Sequence, residues 1–158
     1  MEMLTEREER YWKALVWVIS TICPPLIISI YNFIFWIKGS SLFPTIISAN
    51  ITTIIGIVTS FSITMTGFIA AIGAYLLSIS RSPAFSEWKN NGYLSVFFNL
   101  YGAAIIFLLA TFGACLMMLL TQTTIYWLKI VLSLVIVNLF HIISITYIVI
   151  NQAKNDNA

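Results

Sequence analysis
Charged side chains are confined to a few short stretches of the chain. Between them, residues 14–37, 40–79, 94–120 and 130–150 contain no Asp, Glu, Lys or Arg. A hydrocarbon core about 30 Å thick is crossed by about 20 apolar residues in a helix. Because lipid offers no hydrogen bonds, the backbone must pair within its own segment. The pattern therefore predicts an all-α integral membrane protein with four transmembrane helices over about 14–37, 49–80, 94–120 and 130–150. Residues 1–158 form one membrane domain, and residues 81–93 are its one substantial connecting loop.

The few charges set an orientation. Arg7, Arg10 and Lys13 precede the first span, Arg81 and Lys89 lie between the second and third, and Lys154 follows the fourth; Lys38 and Lys129 fall on the opposite side. Lys and Arg near membrane ends accumulate in the cytoplasm, which predicts that both termini are cytoplasmic. Trp12, Trp17, Trp88, Tyr93 and Tyr147 fall near the inner interface, and Trp36, Tyr126 and Trp127 near the outer, depths that suit amphipathic rings. Composition changes little in this picture. Hydrophobic residues make up 59% and charged residues 9%, with a mean hydropathy of +0.94, which a soluble domain would carry only as large exposed apolar patches. A net charge of +2 is too small and dispersed for direct nucleic-acid binding.

The amino end has a mixed, acidic flank, a long apolar stretch and no small-residue cleavage pattern, so it does not read as a cleavable signal. Thr5 and Glu8 fit a capping box, while Glu6 with Arg10 and Glu9 with Lys13 are spaced i,i+4. Such a turn is either a solvated helix start or a docking surface. In the loop, Ser82 can cap, Pro83 suits a first helical position and Gly92 suits termination. These signals predict a short interfacial helix with Phe85 and Trp88 towards lipid or a partner and Glu87 and Lys89 in water. The candidate partner-facing residues are Glu6, Arg7, Arg10, Arg81, Phe85, Glu87, Trp88 and Lys89.

Inside the spans, Pro24-Pro25 should bend the first helix or open a wide turn, freeing carbonyls near Ser20 and Thr21, and forms either a hinge or a static kink. In the second span, entered through Leu42-Phe43-Pro44 and Ala49-Asn50, small residues share one side. Gly56, Ser60, Thr64, Gly67, Ala71, Ala74 and Ser78 fall within an arc of about 80°, with Phe61, Met65, Phe68, Ile72, Tyr75 and Ile79 roughly opposite. Small-xxx-small spacing allows close backbone approach. The face is wide enough to place span two at the bundle centre, against its own chain on one side and another protomer or a water path lined by Ser60, Thr64 and Thr66 on the other. Gly102, Ala103, Ala110, Gly113 and Ala114 repeat the device in span three, which should pack against span two. Span four carries Asn138, His141 and Ser144 near the midplane, either as polar glue between helices or, for His141, as a protonation switch.

Cys23 and Cys115 lie in different spans with no metal-ligand spacing and read as apolar fillers. No nucleophile with its base, no paired carboxylates and no phosphate loop is present, so no catalysis, cofactor or metal is expected.

Over its full length, and in the stretch Ile63-Thr64-Met65-Thr66-Gly67-Phe68-Ile69-Ala70-Ala71-Ile72-Gly73-Ala74-Tyr75-Leu76-Leu77-Ser78, the chain resembles the KwaA family. These are the four-span membrane subunits of the Kiwa anti-phage defence system. The resemblance implies a homo-oligomer, a tetramer, in the bacterial inner membrane that senses membrane disturbance during phage attachment or DNA injection. It further implies a cytosolic partner resembling KwaB, which engages nucleic acid. An oligomeric ion channel or pore-forming effector is the competing class, and a small transporter, which would lack an intramembrane acid, is the third.

Overall fold
The computed structural model describes residues 4–38, 44–120 and 124–156. They form α1 (Glu6–Lys38), α2 (Pro44–Ile79), α3 (Pro83–Asn90), α4 (Tyr93–Leu120) and α5 (Thr124–Asp156). All but α3 are long and apolar enough to cross a membrane, with mean hydropathies from 1.8 to 2.6. Helices α1 and α5 outrun their uncharged segments at both ends. At 1.5 Å per residue the 36 residues of α2 extend about 54 Å, well beyond the hydrocarbon thickness. This helix starts at Pro44 rather than near residue 49, while Leu42 and Phe43 lie outside the described residues.

The centre of the bundle is α4. It packs against every other helix and most extensively against α5, whereas α2 leans on α4 and, more lightly, on α5. The expectation that span two is central is thereby corrected. The physical reason lies in α4, where Ala103, Ala104 and Ala114 are buried and let neighbouring backbones come close. Ile55, Val58, Ile69, Ile72 and Leu76 of α2 enter the core, whereas Gly56, Ser60, Thr64, Gly67, Ala71, Ala74 and Ser78 are all exposed. The small face is therefore largely uncovered by the chain's own helices, and a Cβ at Gly56 or Gly67 would meet nothing within 4 Å.

Two apolar clusters fill the interior. One, towards the end that holds both the start of α1 and the finish of α5, joins Ile69, Ile72, Leu76, Phe85, Trp88, Phe97, Leu100, Ala104, Leu108 and Ile145. The other joins Ile55, Val58, Ala114, Cys115, Met118, Leu128, Val131 and Leu134. Large apolar side chains cover the outside, among them Ile57, Ile63, Leu77, Leu109, Leu120 and Ile143, as expected where lipid is the solvent. Trp12, Trp36, Tyr126 and Tyr147 are exposed near helix ends, in keeping with interfacial depth.

Helix α1 runs unbroken through Pro24 and Pro25, so the expected wide turn is not formed. Neither proline has an N–H to offer the carbonyl four residues earlier, which weakens the helix ladder at Ser20 and Thr21. On either side of that weakened turn, the hydroxyl of Thr21 donates to the Trp17 carbonyl (2.8 Å) and that of Ser29 to the Pro25 carbonyl (2.8 Å).

Candidate functional site: a buried polar layer and a basic platform
A layer of polar side chains lies between the two apolar clusters. Ser20 of α1, Thr111 of α4, and Ser133, Asn138 and His141 of α5 are each at most 1% exposed. Ser20 is the one buried residue on α1 among its described positions, so the single place where α1 enters the core is polar. Its hydroxyl lies 2.7 Å from the Val16 carbonyl and 2.7 Å from His141 Nε2. A hydroxyl has one hydrogen, and in a helix it goes to the carbonyl one turn back. His141 therefore donates from Nε2 to Ser20 Oγ, and its Nδ1 is a bare acceptor. The ring is fixed further by an edge contact with Phe107, centroids 5.5 Å apart.

One turn earlier on α5, Asn138 Nδ2 donates to Thr111 Oγ1 at 2.7 Å, while Thr111 donates to the Phe107 carbonyl at 2.8 Å. Two acceptors, Asn138 Oδ1 and His141 Nδ1, are buried without a hydrogen-bond partner among the described residues. A buried polar atom left unpaired costs about 1–3 kcal/mol, so the layer combines strong ties with unmet demand. The pairing of Asn138 and His141 as interhelical glue agrees with expectation. Their partners Ser20 and Thr111 are not identifiable from spacing, because each is separated from α5 by long stretches of chain. The third residue of the expected set, Ser144, is half-buried and borders a cavity of about 190 Å³ that His141 also lines.

At the other functional candidate, the start of α1 meets the corner between α3 and α4. Thr5 and Glu8 form the expected capping box: Glu8 Oε2 accepts from the Thr5 N–H at 2.9 Å and from its hydroxyl at 2.8 Å. These bonds hold the Glu8 carboxyl below its ordinary range, in the turn that precedes the uncharged run. Lys13 Nζ donates to Glu9 at 2.6 Å. Lys13, and then Ser95 at the start of α4, lower the Glu9 carboxyl in the same way. Arg10 donates to the Glu6 carbonyl (3.3 Å), so this expected pair forms to the backbone rather than to the carboxylate. The Leu4 N–H donates to the Asn91 carbonyl at 3.1 Å. Gly92, at φ +83°, turns the chain beside Leu4 and Glu9, a conformation that favours glycine.

The interfacial helix forms where expected, with Ser82 accepting from the Phe85 N–H at 3.1 Å and Pro83 in its first turn. Its facing is the reverse of expectation. Phe85 is 9% and Trp88 5% exposed, with the Trp88 ring tilted at 58° against Phe97, centroids 5.5 Å apart. Spacing i,i+3 placed these rings together but did not say on which side, and burying two aromatics against α4 outweighs leaving them at a headgroup surface. Neither is available to a partner. Glu6, Arg7, Arg10, Arg81, Glu87 and Lys89 are exposed, and the Leu4–Asn91 bond brings the start of α1 and the α3–α4 corner, which the sequence presents as two separate segments, to one platform.

No family model matches the chain, and neither a curated protein nor a solved structure matches it. Fold and site together define an all-helical chain of multi-pass membrane character: four bilayer-length apolar helices, a polar layer across three of them, and a platform at one end.

Proposed function
We propose that this chain is a membrane-embedded sensor and scaffold subunit of an anti-phage defence complex. It sits as a homo-oligomer in the bacterial inner membrane with both termini cytoplasmic, and it recruits or activates a cytosolic nucleic-acid-binding partner. The observation that carries the reading is the unused small-residue face of α2. A Cβ at Gly56 or Gly67 meets nothing within 4 Å, so these glycines relieve no crowding inside the chain. A glycine face in lipid has its use where another backbone approaches. The likeness to the KwaA family supports the same oligomeric arrangement, with four copies, and supports a KwaB-like partner on the platform.

Assembly is tested by Gly67→Leu and Ala71→Leu, which enter open space within the chain. Native mass spectrometry in detergent should show the oligomer falling to lower stoichiometry, with helicity unchanged; unaltered stoichiometry would mean that the interface lies elsewhere. Phage plaque counts with and without the gene test the role itself. A conducting oligomer is the second reading, favoured by the exposed hydroxyl-bearing positions Ser60 and Thr64 on the same face. Ionic current through purified protein in planar bilayers would select it.

A further inference from the structure
We propose that the groove between α2 and α4, closed at one end by α3, is a binding site for one acyl chain of an anionic glycerophospholipid whose headgroup is held by Arg81. The groove has a volume of about 480 Å³ and is lined by Ala70, Gly73, Ala74 and Leu77 of α2 and by Phe98 and Tyr101 of α4. Its walls on α2 from Ala70 to Leu77 and on α4 at Phe98 and Tyr101 lie within the segments long and apolar enough to cross a membrane, while Ser80 and Phe85 lie at its end beyond them.

Its polar atoms are already engaged. The Tyr101 hydroxyl donates to the Ile69 carbonyl at 3.2 Å, and the Ser80 hydroxyl donates to the Leu77 carbonyl at 2.7 Å. A polar small molecule would find no free donor there and would lose its hydration, whereas a hydrocarbon chain loses nothing. A helix about 11 Å across fills about 500 Å³ for each 5.4 Å turn. The groove would thus seat barely one turn of a neighbouring protein helix but a substantial length of a single chain.

Charge fixes the kind of lipid. Ser80 lines the groove where α2 ends, and the next residue, Arg81, is exposed and makes no ion pair among the described residues. A cation at the rim of an apolar slot complements a phosphate carrying net negative charge, and a guanidinium grips phosphate with paired donors.

The test is native mass spectrometry of the full-length protein, released from micelles containing equal amounts of dioleoyl phosphatidylglycerol and dioleoyl phosphatidylcholine. Wild type should keep phosphatidylglycerol in preference to phosphatidylcholine by about fivefold, the contribution of one basic residue at an anionic surface. Arg81→Gln should bring that preference close to one while lipid is still carried. Ala70→Phe, which fills the slot, should lower retention of both lipids. An unchanged preference in Arg81→Gln overturns the headgroup assignment. Unchanged retention in Ala70→Phe overturns the groove, and a change of oligomeric mass with retention intact gives it to a second copy instead. If Ala70→Phe does not fold, Arg81→Gln decides alone, because it leaves the groove untouched.

Discussion

Ser20 and His141, 121 positions apart in sequence, meet at 2.7 Å in the buried interior, on the turn of α1 that Pro24 and Pro25 deprive of backbone donors. The contact fastens α5 to the weakest point of α1. Removing the acceptor by Ser20→Ala strands the His141 N–H and should destabilise the protein by about 1–2 kcal/mol. In a double-mutant cycle with His141→Leu the coupling should be about 0.6 kcal/mol and at most about 1.7 kcal/mol. Unfolding of detergent-solubilised variants measures both. Strictly additive effects would show that the two side chains do not act on each other.

Gly73 and Tyr101 make the tightest glycine contact among the described residues: a Cβ at position 73 would lie 2.7 Å from the phenol oxygen and 3.5 Å from the ring carbon that bears it. Gly73→Ala alone should push the ring aside, break the bond to Ile69 and cost about 1–3 kcal/mol. With Tyr101→Phe present, the methyl instead meets a ring carbon at ordinary contact distance, and most of that penalty should vanish. Thermal unfolding of the two single variants and the double variant decides the matter. Equal cost of Gly73→Ala in both backgrounds contradicts the geometry.

The Thr5–Glu8 box predicts a pH dependence confined to the start of α1. Folding lowers the Glu8 carboxyl through its bonds to Thr5, so the box stabilises the folded turn fully above the ordinary glutamate range. That contribution is lost as pH falls through the depressed folded value. A carbon-detected NMR titration should give Glu8 a midpoint below the ordinary glutamate range, and Thr5→Val should raise it towards that range. A Glu8 midpoint that Thr5→Val leaves unmoved would mean that the box is not formed.

Much of this architecture is legible in the sequence because lipid imposes a simple rule. Uncharged runs of bilayer length become helices, and the start of α1, the cap at Ser82 and the stop at Gly92 follow from local chemistry. What spacing does not reveal is direction. The small residues of α2 are on one side, as periodicity requires, yet periodicity alone does not say whether that side faces in or out; the bulk of Ile69, Ile72 and Leu76 decides it, because they fill more of the core. Phe85 and Trp88 illustrate the same limit in a helix of 8 residues. The polar layer is half legible: Asn138 and His141 stand out in an apolar span, whereas Ser20 and Thr111 resemble any other helix hydroxyl until the fold brings them together.

The junction of Leu4 with Asn91 gives the bundle a mechanical handle. One amide and one carbonyl fasten the first turn of the chain to the foot of α4, the helix that touches all the others. A force applied at the start of α1 would be felt at the base of the central mast.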